Sequence, residues 1–204
     1  MIEEGNKQRR GKKTQKKILE TALKLFADKG YDKVTVDEIC KKSETSKGSF
    51  YQHFSSKSSI FLAKFLEADA YYAEVIESLP KNMDVFEKLS MFNNKAFSYL
   101  NDQMGKDLLK VIYSSALTSK EHTYFLNKDR ELTRIFISFA EEIKSMLPAG
   151  SSRRVEDLVM MMNQTMLGAI YYWCITTDDR NLPEVAQDLT DTMIRGLKSL
   201  IERN

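Results

Sequence analysis

Residues 45 to 54, Thr-Ser-Lys-Gly-Ser-Phe-Tyr-Gln-His-Phe, form the segment that decides the fold of this chain. On a helical wheel of about 100° per residue, Phe50 and Phe54 fall on one apolar edge. The opposite side carries Gly48, Ser49 and Gln52, and the flanks carry Lys47, Tyr51 and His53. Such a helix suits the major groove of DNA, where its outer face can approach base edges and its flanks can reach phosphates.

A second short helix is predicted just before this segment. Thr35-Val36-Asp37-Glu38 has the capping-box pattern, with a hydroxyl at the N-cap and a carboxylate three residues later. We expect this helix over residues 36–42, followed by a polar turn in which Ser46 caps the helix over 47–54. The pair predicts a helix-turn-helix.

Helical spacing continues on both sides of this pair. One helix is expected over 14–29, ended by Gly30, and a long one over 57–78, capped by Ser56 and ended before Pro80. Further helices are expected over 84–105, 107–117, 132–146 and 153–176, and from 183 onward. The chain is therefore predicted to be all-α, with about nine helices. Residues 1–57 would form a basic arm and a three-helix DNA-binding domain, and residues 58–204 a larger antiparallel helical ligand-binding and dimerisation domain.

Charge is distributed unevenly along the 204 residues. Residues 1–57 carry 14 Lys or Arg against 8 Asp or Glu, whereas residues 58–204 carry 17 against 21. The N-terminal excess indicates a polyanionic partner. The stretch 7–17 holds seven cations and no acid; it is either a DNA-contacting arm or a solubilising tail, and the sequence leaves both open.

Several classes of protein are disfavoured by composition. The two cysteines lie far apart in apolar helical patterns, so no disulfide framework is expected. No apolar run approaches the length of a membrane span, and a cytoplasmic protein is expected. With two histidines, no metal-ligand cluster and no glycine-rich phosphate loop, we expect no metal, no cofactor and no catalytic site.

At this point the sequence resembles the tetracycline-repressor (TetR) family of bacterial regulators. The resemblance rests on Thr35-Val36-Asp37-Glu38-Ile39, on Ser46-Lys47-Gly48 followed by Phe50-Tyr51 and His53-Phe54, and on Lys57. It implies a DNA-binding domain, a ligand-binding helical domain and dimerisation through the last two helices. The positions that commonly contact DNA in such proteins match Thr35, Ser46, Lys47, Ser49, Tyr51, His53 and Lys57.

Two positions depart from the family pattern. Glu44 stands where the turn glycine is usual, and Gln52 where an aromatic residue is more frequent. Because Gln can form a bidentate pair with adenine, Gln52 is a candidate base reader. Gly48 would allow close approach to DNA, and Lys57 would bind a phosphate at the start of its helix. Taken singly, Tyr51, His53 and Lys57 also fit ordinary solvent-exposed residues.

The C-terminal part offers soft apolar side chains rather than catalytic groups. Eight of the ten methionines lie between Met83 and Met166. Methionine and aromatic side chains can line an adaptable pocket, although each also fits a packed core. The candidate pocket residues are Phe92, Phe97, Tyr113, Phe136, Phe139, Met162, Met166 and Trp173.

The last helix presents more apolar surface than one neighbouring helix needs, and small residues allow close backbone approach. The candidate dimer-interface residues are Gly168, Tyr172, Leu189, Met193, Gly196, Leu197 and Leu200. A dimer also suits DNA recognition, because paired helices read two half-sites.

Three functions remain open from the sequence. The first is a homodimeric repressor that binds double-stranded operator DNA and is released by a small apolar or aromatic effector. The second is a ligand-independent architectural or division factor of the same fold, and the third is a helical enzyme, which would need convergent titratable groups in a cavity.

Overall fold

Helix formation dominates the chain, as the scarcity of Gly and Pro predicts. The computed structural model describes residues 2–118, 127, 129–177 and 179–202. That part of the chain contains α-helices, one π-helical turn and no strand. The elements are α1 (Ile2–Lys29), α2 (Val36–Ser43), α3 (Lys47–His53), α4 (Ser59–Ser78), α5 (Val85–Tyr99), the π turn (Leu100–Met104), α6 (Gly105–Thr118), α7 (Glu131–Met146), α8 (Val155–Ile175) and α9 (Leu182–Glu202).

The chain divides into two compact units. The first unit contains Met1–Phe65 and Lys110–Tyr124, and the second contains Leu66–Leu109 and Phe125–Asn204. Both α4 and α6 therefore contribute residues to each unit. The first unit holds the whole of α1 to α3.

The core of the first unit is built on an aromatic cluster. Phe26 of α1 lies 5.0 Å from Tyr31 and 5.4 Å from Phe61, measured between ring centroids. Phe26 and Ile39 are fully buried. Edge-on and tilted ring contacts of this kind add to the free energy gained by burying the rings. The cluster fixes α1 against the beginning of α4.

Two helix starts differ from the sequence prediction. α1 begins at Ile2 rather than Thr14, because the polar residues before Thr14 are good helix formers and the Thr14 hydroxyl donates back to the carbonyl of Arg10. α4 begins at Ser59 rather than Lys57. There the Ser59 N–H donates to the Ser56 hydroxyl at 3.2 Å, so Ser56 does cap the helix as expected.

The second unit packs α5, α7, α8 and α9 around an apolar core. α5 runs antiparallel to α9: the Leu182 N–H donates to Asn101 Oδ1 at 3.1 Å, and the Lys198 ammonium lies 5.3 Å from the Phe86 ring centre. Asp84 caps α5 by accepting from the N–H groups of Phe86 and Glu87. α5 is followed directly by the π turn. This helical segment ends at Gly105, as predicted, where φ is +72°.

Candidate nucleic-acid interface

Side-chain caps build the helix-turn-helix locally. The Thr35 hydroxyl accepts from the N–H of Glu38 at 3.2 Å, and the Ser46 hydroxyl accepts from the N–H of Ser49 at 3.1 Å. Each cap satisfies a donor that the first turn would otherwise leave without a partner. The Glu38 carboxylate is paired with Lys29 of α1. The predicted starts of α2 and α3 at residues 36 and 47 are confirmed.

The turn between these helices keeps a left-handed residue although its glycine is missing. Glu44 has φ 52° and ψ 43°, and the N–H of Thr45 donates to the carbonyl of Cys40 at 2.9 Å. The Glu44 carboxylate pairs with Lys17 at 2.6 Å, and this hydrogen bond lowers the pKa of Glu44. The substitution seen in the sequence therefore changes the turn's residue but not its left-handed geometry.

α3 separates its faces as the helical wheel predicts. Phe50 and Phe54 are buried, with their ring centroids 5.7 Å apart. Gly48 and Gln52 are exposed, Ser49 is half-buried, and the Tyr51 side chain is 55% exposed. The outer face is therefore free of packing contacts that would keep it from a DNA groove. His53 is half-buried at the end of the helix.

Lys47 lies on the flank of α3 and is held in an ion pair. Its ammonium is 2.6 Å from Asp37 of α2, and both side chains are mostly exposed. The hydrogen bond with Asp37 raises the pKa of Lys47, so the pair favours the charged form of the ammonium. The pair fixes the position of the charge beside α3.

Lys57 is a correction to the sequence interpretation. It precedes α4 by two residues, so it does not lie in that helix's first turn. Its ammonium donates to the carbonyls of Tyr31 at 2.8 Å and Val34 at 2.9 Å, and lies 4.0 Å from the Tyr31 ring centre. Burial lowers its pKa, opposed by the charge of Asp32. The side chain closes the loop after α1, and its donors point to protein carbonyls.

Comparison with known families gives a match to this region. Residues 18–63 match the model of bacterial regulatory proteins of the tetR family, a segment that contains α2, α3 and the start of α4. This segment of the chain is similar to the TetR family. This is a family of regulatory proteins and not of enzymes.

Two curated relatives match part of the chain. An uncharacterized HTH-type transcriptional regulator of Bacillus subtilis, YuxN, is 52% identical over 52 residues, which are 26% of this chain and 18% of that protein. IcaR of Staphylococcus aureus, a negative regulator of the biofilm operon icaADBC, is 31% identical over 97 residues. That segment is 48% of this chain and 45% of IcaR. The matches thus span less than half of each relative.

Solved structures share the fold over most of the chain. A TetR-family regulator from Syntrophomonas wolfei superposes with a TM-score of 0.74 at 18% identity, covering 95% of this chain and 99% of that one. FadR of B. subtilis, solved with stearoyl-CoA, gives a TM-score of 0.69 at 20% identity, covering 88% and 97%. The all-α prediction is confirmed, since these likenesses are likenesses of fold.

The candidate pocket residues of the second unit are buried. Phe92 is at the centre, 6.0 Å from Phe136 and 5.9 Å from Phe139 between ring centroids. The Trp173 indole N–H donates to the carbonyl of Arg180 at 2.9 Å, so its polar group is satisfied within the unit. Also buried in this unit are Phe97, Met162 and Met166. Tyr113, which was also predicted to line the pocket, belongs to the first unit.

The candidate interface residues fall into three groups. Tyr172 and Leu189 are 51% and 42% exposed, and with Gly168 they line a groove of about 340 Å³ between α8 and α9. Gly196 and Leu200 are half-buried. Met193 and Leu197 are buried within the protomer, Leu197 completely, so we correct their assignment from interface to core. The reason is that the apolar stripe of α9 is wide enough to serve both the core and the surface.

Sequence reasoning missed a buried ion pair in the second unit. The Arg130 guanidinium donates to both carboxylate oxygens of Asp69, at 2.7 and 3.1 Å, and both side chains are more than nine-tenths buried. The two residues are 61 positions apart, so no local pattern could have paired them. The pair joins α4 to the residue that precedes α7.

The described residues contain neither a candidate metal site nor a candidate membrane-spanning helix. No group of His, Cys, Asp and Glu in this part of the chain is placed to hold a metal ion. Over the same residues, no helix combines the length and the apolar character needed to cross a membrane.

Proposed function

We propose that this chain is a homodimeric, sequence-specific DNA-binding repressor that a small apolar or aromatic ligand releases from its operator. The observation that carries the proposal is α3, a capped helix anchored by Phe50 and Phe54 whose Gly48 and Gln52 face solvent. Lys47 supplies a cation beside that face. The surrounding side chains that can donate to phosphates are Thr35, Ser46, Ser49, Tyr51 and His53. The IcaR likeness supports repression rather than activation.

Dimerisation is proposed through α8 and α9. Tyr171, Tyr172, Ile175 and Leu189 are large apolar or aromatic side chains that are 42–59% exposed. A concentration of such side chains on two neighbouring helices is typical of an interaction surface. A two-fold dimer would present two copies of α3 to the half-sites of a near-palindrome.

Selection from a random duplex library tests the DNA-binding proposal. Full-length protein should enrich an inverted repeat whose half-sites are separated by a multiple of one helical turn. Enrichment of no common sequence would overturn the proposal. Enrichment of a single half-site would support DNA binding but contradict the proposed dimer.

Release by a ligand is proposed to act through α4. This helix runs from Ser59 to Ser78 without Gly or Pro, so displacement at one end can be transmitted to the other. FadR, with the same fold, holds stearoyl-CoA. An acyl-CoA is therefore a reasonable first probe, beside a panel of small aromatic compounds.

The ring contacts of Phe92 with Phe136 and Phe139 within the core favour a second candidate, the ligand-independent DNA-binding factor. Thermodynamic linkage between ligand binding and operator binding distinguishes the ligand-released repressor from this second candidate. A releasing ligand must bind more weakly when operator duplex is present, by about 5- to 150-fold for a coupling of ordinary size. Equal ligand affinities with and without operator, or no binding by any probe, would favour the second candidate.

A further inference from the structure

The N-terminal turns of α1 carry a dense run of positively charged residues. Between residues 7 and 17 the sequence has seven cations and no acid. Because α1 begins at Ile2, these cations lie on a helix and not on a flexible tail. Their spacing along the chain is therefore fixed at about 1.5 Å per residue.

The described cations share one side of the helix. At about 100° per residue, the six from Arg9 to Lys17 fall within an arc of roughly 160°. Lys16 pairs with Glu20 and Lys17 with Glu44. The remaining four are exposed, and no carboxylate in the described part of the chain pairs with them: Arg9, Arg10, Lys12 and Lys13.

This part of α1 is continuous with the proposed interface. A Cβ added to Gly11 would lie 3.8 Å from Cε1 of His53, the last residue of α3. Lys17, further along α1, pairs with Glu44 in the turn between α2 and α3. The basic turns of α1 thus lie beside α3.

We infer that the N-terminal turns of α1 are a second DNA-contacting element, in which Arg9, Arg10, Lys12 and Lys13 bind backbone phosphates beside the segment read by α3. The inference rests on the proposed DNA-binding function and extends it. Four unpaired cations on a rigid helix match the regular charge of a duplex, which carries one phosphate per about 3.4 Å of each strand. The opposite side of the helix has Gly11, Thr14 and Gln15, which are not the apolar face that a lipid surface requires.

The salt dependence of binding to the selected operator duplex tests this element. The variant Arg9→Gln, Arg10→Gln, Lys12→Gln, Lys13→Gln keeps residues that favour helix while removing four charges. We expect the slope of log affinity against log salt to fall by about 3.6 units per bound protomer, since four phosphate contacts are lost and each contributes about 0.9. Protection of the deoxyriboses flanking the α3 site from hydroxyl-radical cleavage should be lost at the same time.

A matched control removes four exposed cations from the second unit: Lys81→Gln, Lys95→Gln, Arg134→Gln and Arg153→Gln. It should keep the slope and the flanking protection, as should the charge-preserving variant Arg9→Lys, Arg10→Lys. An equal fall in slope for the α1 variant and the control would overturn the inference, because net charge alone would explain it. The inference would also be overturned if the slope fell for neither variant. The same holds if the α1 variant lost binding to anionic vesicles while it bound the operator duplex as the wild type does. If wild-type protein bound no duplex, the proposed function itself would fail, which is a different outcome.

Discussion

At the scale of single residues, what could be read from the sequence depended on the distance to the interaction partner. Thr35, Ser46 and Ser56 cap helices through N–H groups three positions away, and all three caps were predicted. The contacts of Lys57 could not be predicted, because its carbonyl acceptors lie 23 and 26 positions back. Local hydrogen bonds leave a sequence pattern, whereas such long-range contacts do not.

Lys57 should therefore matter for stability and not for phosphate binding. We expect Lys57→Ala to lower the free energy of unfolding by about 1 to 3 kcal/mol, because two carbonyls in part-buried hydrogen bonds lose a charged donor. Denaturant unfolding measures this, with exposed Lys33→Ala as the control, which should change it by less than about 0.5 kcal/mol. If Lys57→Ala kept full stability and reduced the salt slope of DNA binding by about one unit, Lys57 would be a phosphate contact after all.

Gln52 should read a base, because it is exposed on the outer face of α3. We expect Gln52→Ala to cost roughly 1 to 3 kcal/mol on the preferred operator and much less on operators altered at the contacted base pair. Affinities for a set of singly substituted duplexes would show this. Lys47→Ala is the comparison, and it should weaken every duplex by a similar factor. A uniform loss for Gln52→Ala would remove its role as base reader.

At the scale of elements, helix existence was predictable and helix boundaries were less so. Apolar spacing located α5, α7, α8 and α9 because each buries one stripe. The first turns of α1 carry no such stripe, so the sequence placed the start of that helix twelve residues too late. For α9, periodicity identified the apolar residues but could not divide them between core and surface, which is why Leu197 was misassigned.

The Asp69–Arg130 pair should be an important tie between elements of the second unit. Arg130→Met leaves the Asp69 carboxylate buried without its partner and should lower the free energy of unfolding by about 3 to 5 kcal/mol. Adding Asp69→Leu should recover most of this loss, because an apolar pair removes the unpaired charge. Thermal unfolding of both variants measures the difference. A double variant no more stable than Arg130→Met would mean that the pair's geometry, not its charge balance, is what stabilises the fold.

The groove between α8 and α9 should be part of the dimer interface. We expect Leu189→Glu to weaken dimerisation by at least tenfold, about 1.4 kcal/mol, because it puts a charge on an apolar contact surface. Sedimentation equilibrium would show this, with Met91→Glu as the control: Met91 is 41% exposed on α5. Leu197→Glu should instead unfold the protein, since Leu197 is fully buried. A Leu189→Glu protein that stayed dimeric would move the interface elsewhere.

At the scale of the whole molecule, the sequence and the fold both indicate that the two units carry different features. The first unit contains the helix-turn-helix and most of the excess positive charge. The second unit contains the exposed apolar face of α8 and α9 together with the aromatic core around Phe92. Such a division suits a regulator whose DNA affinity is set by a dimer and changed by a ligand.

The most direct test of this account is the affinity of the wild-type protein for its selected operator relative to a scrambled duplex of equal length, at one fixed salt concentration. Specific recognition by α3 should make the operator tighter by about 10³- to 10⁷-fold, the range found for proteins that read base edges. Equal affinities would mean that the chain binds DNA only through its positive charge, and would contradict the role given to α3.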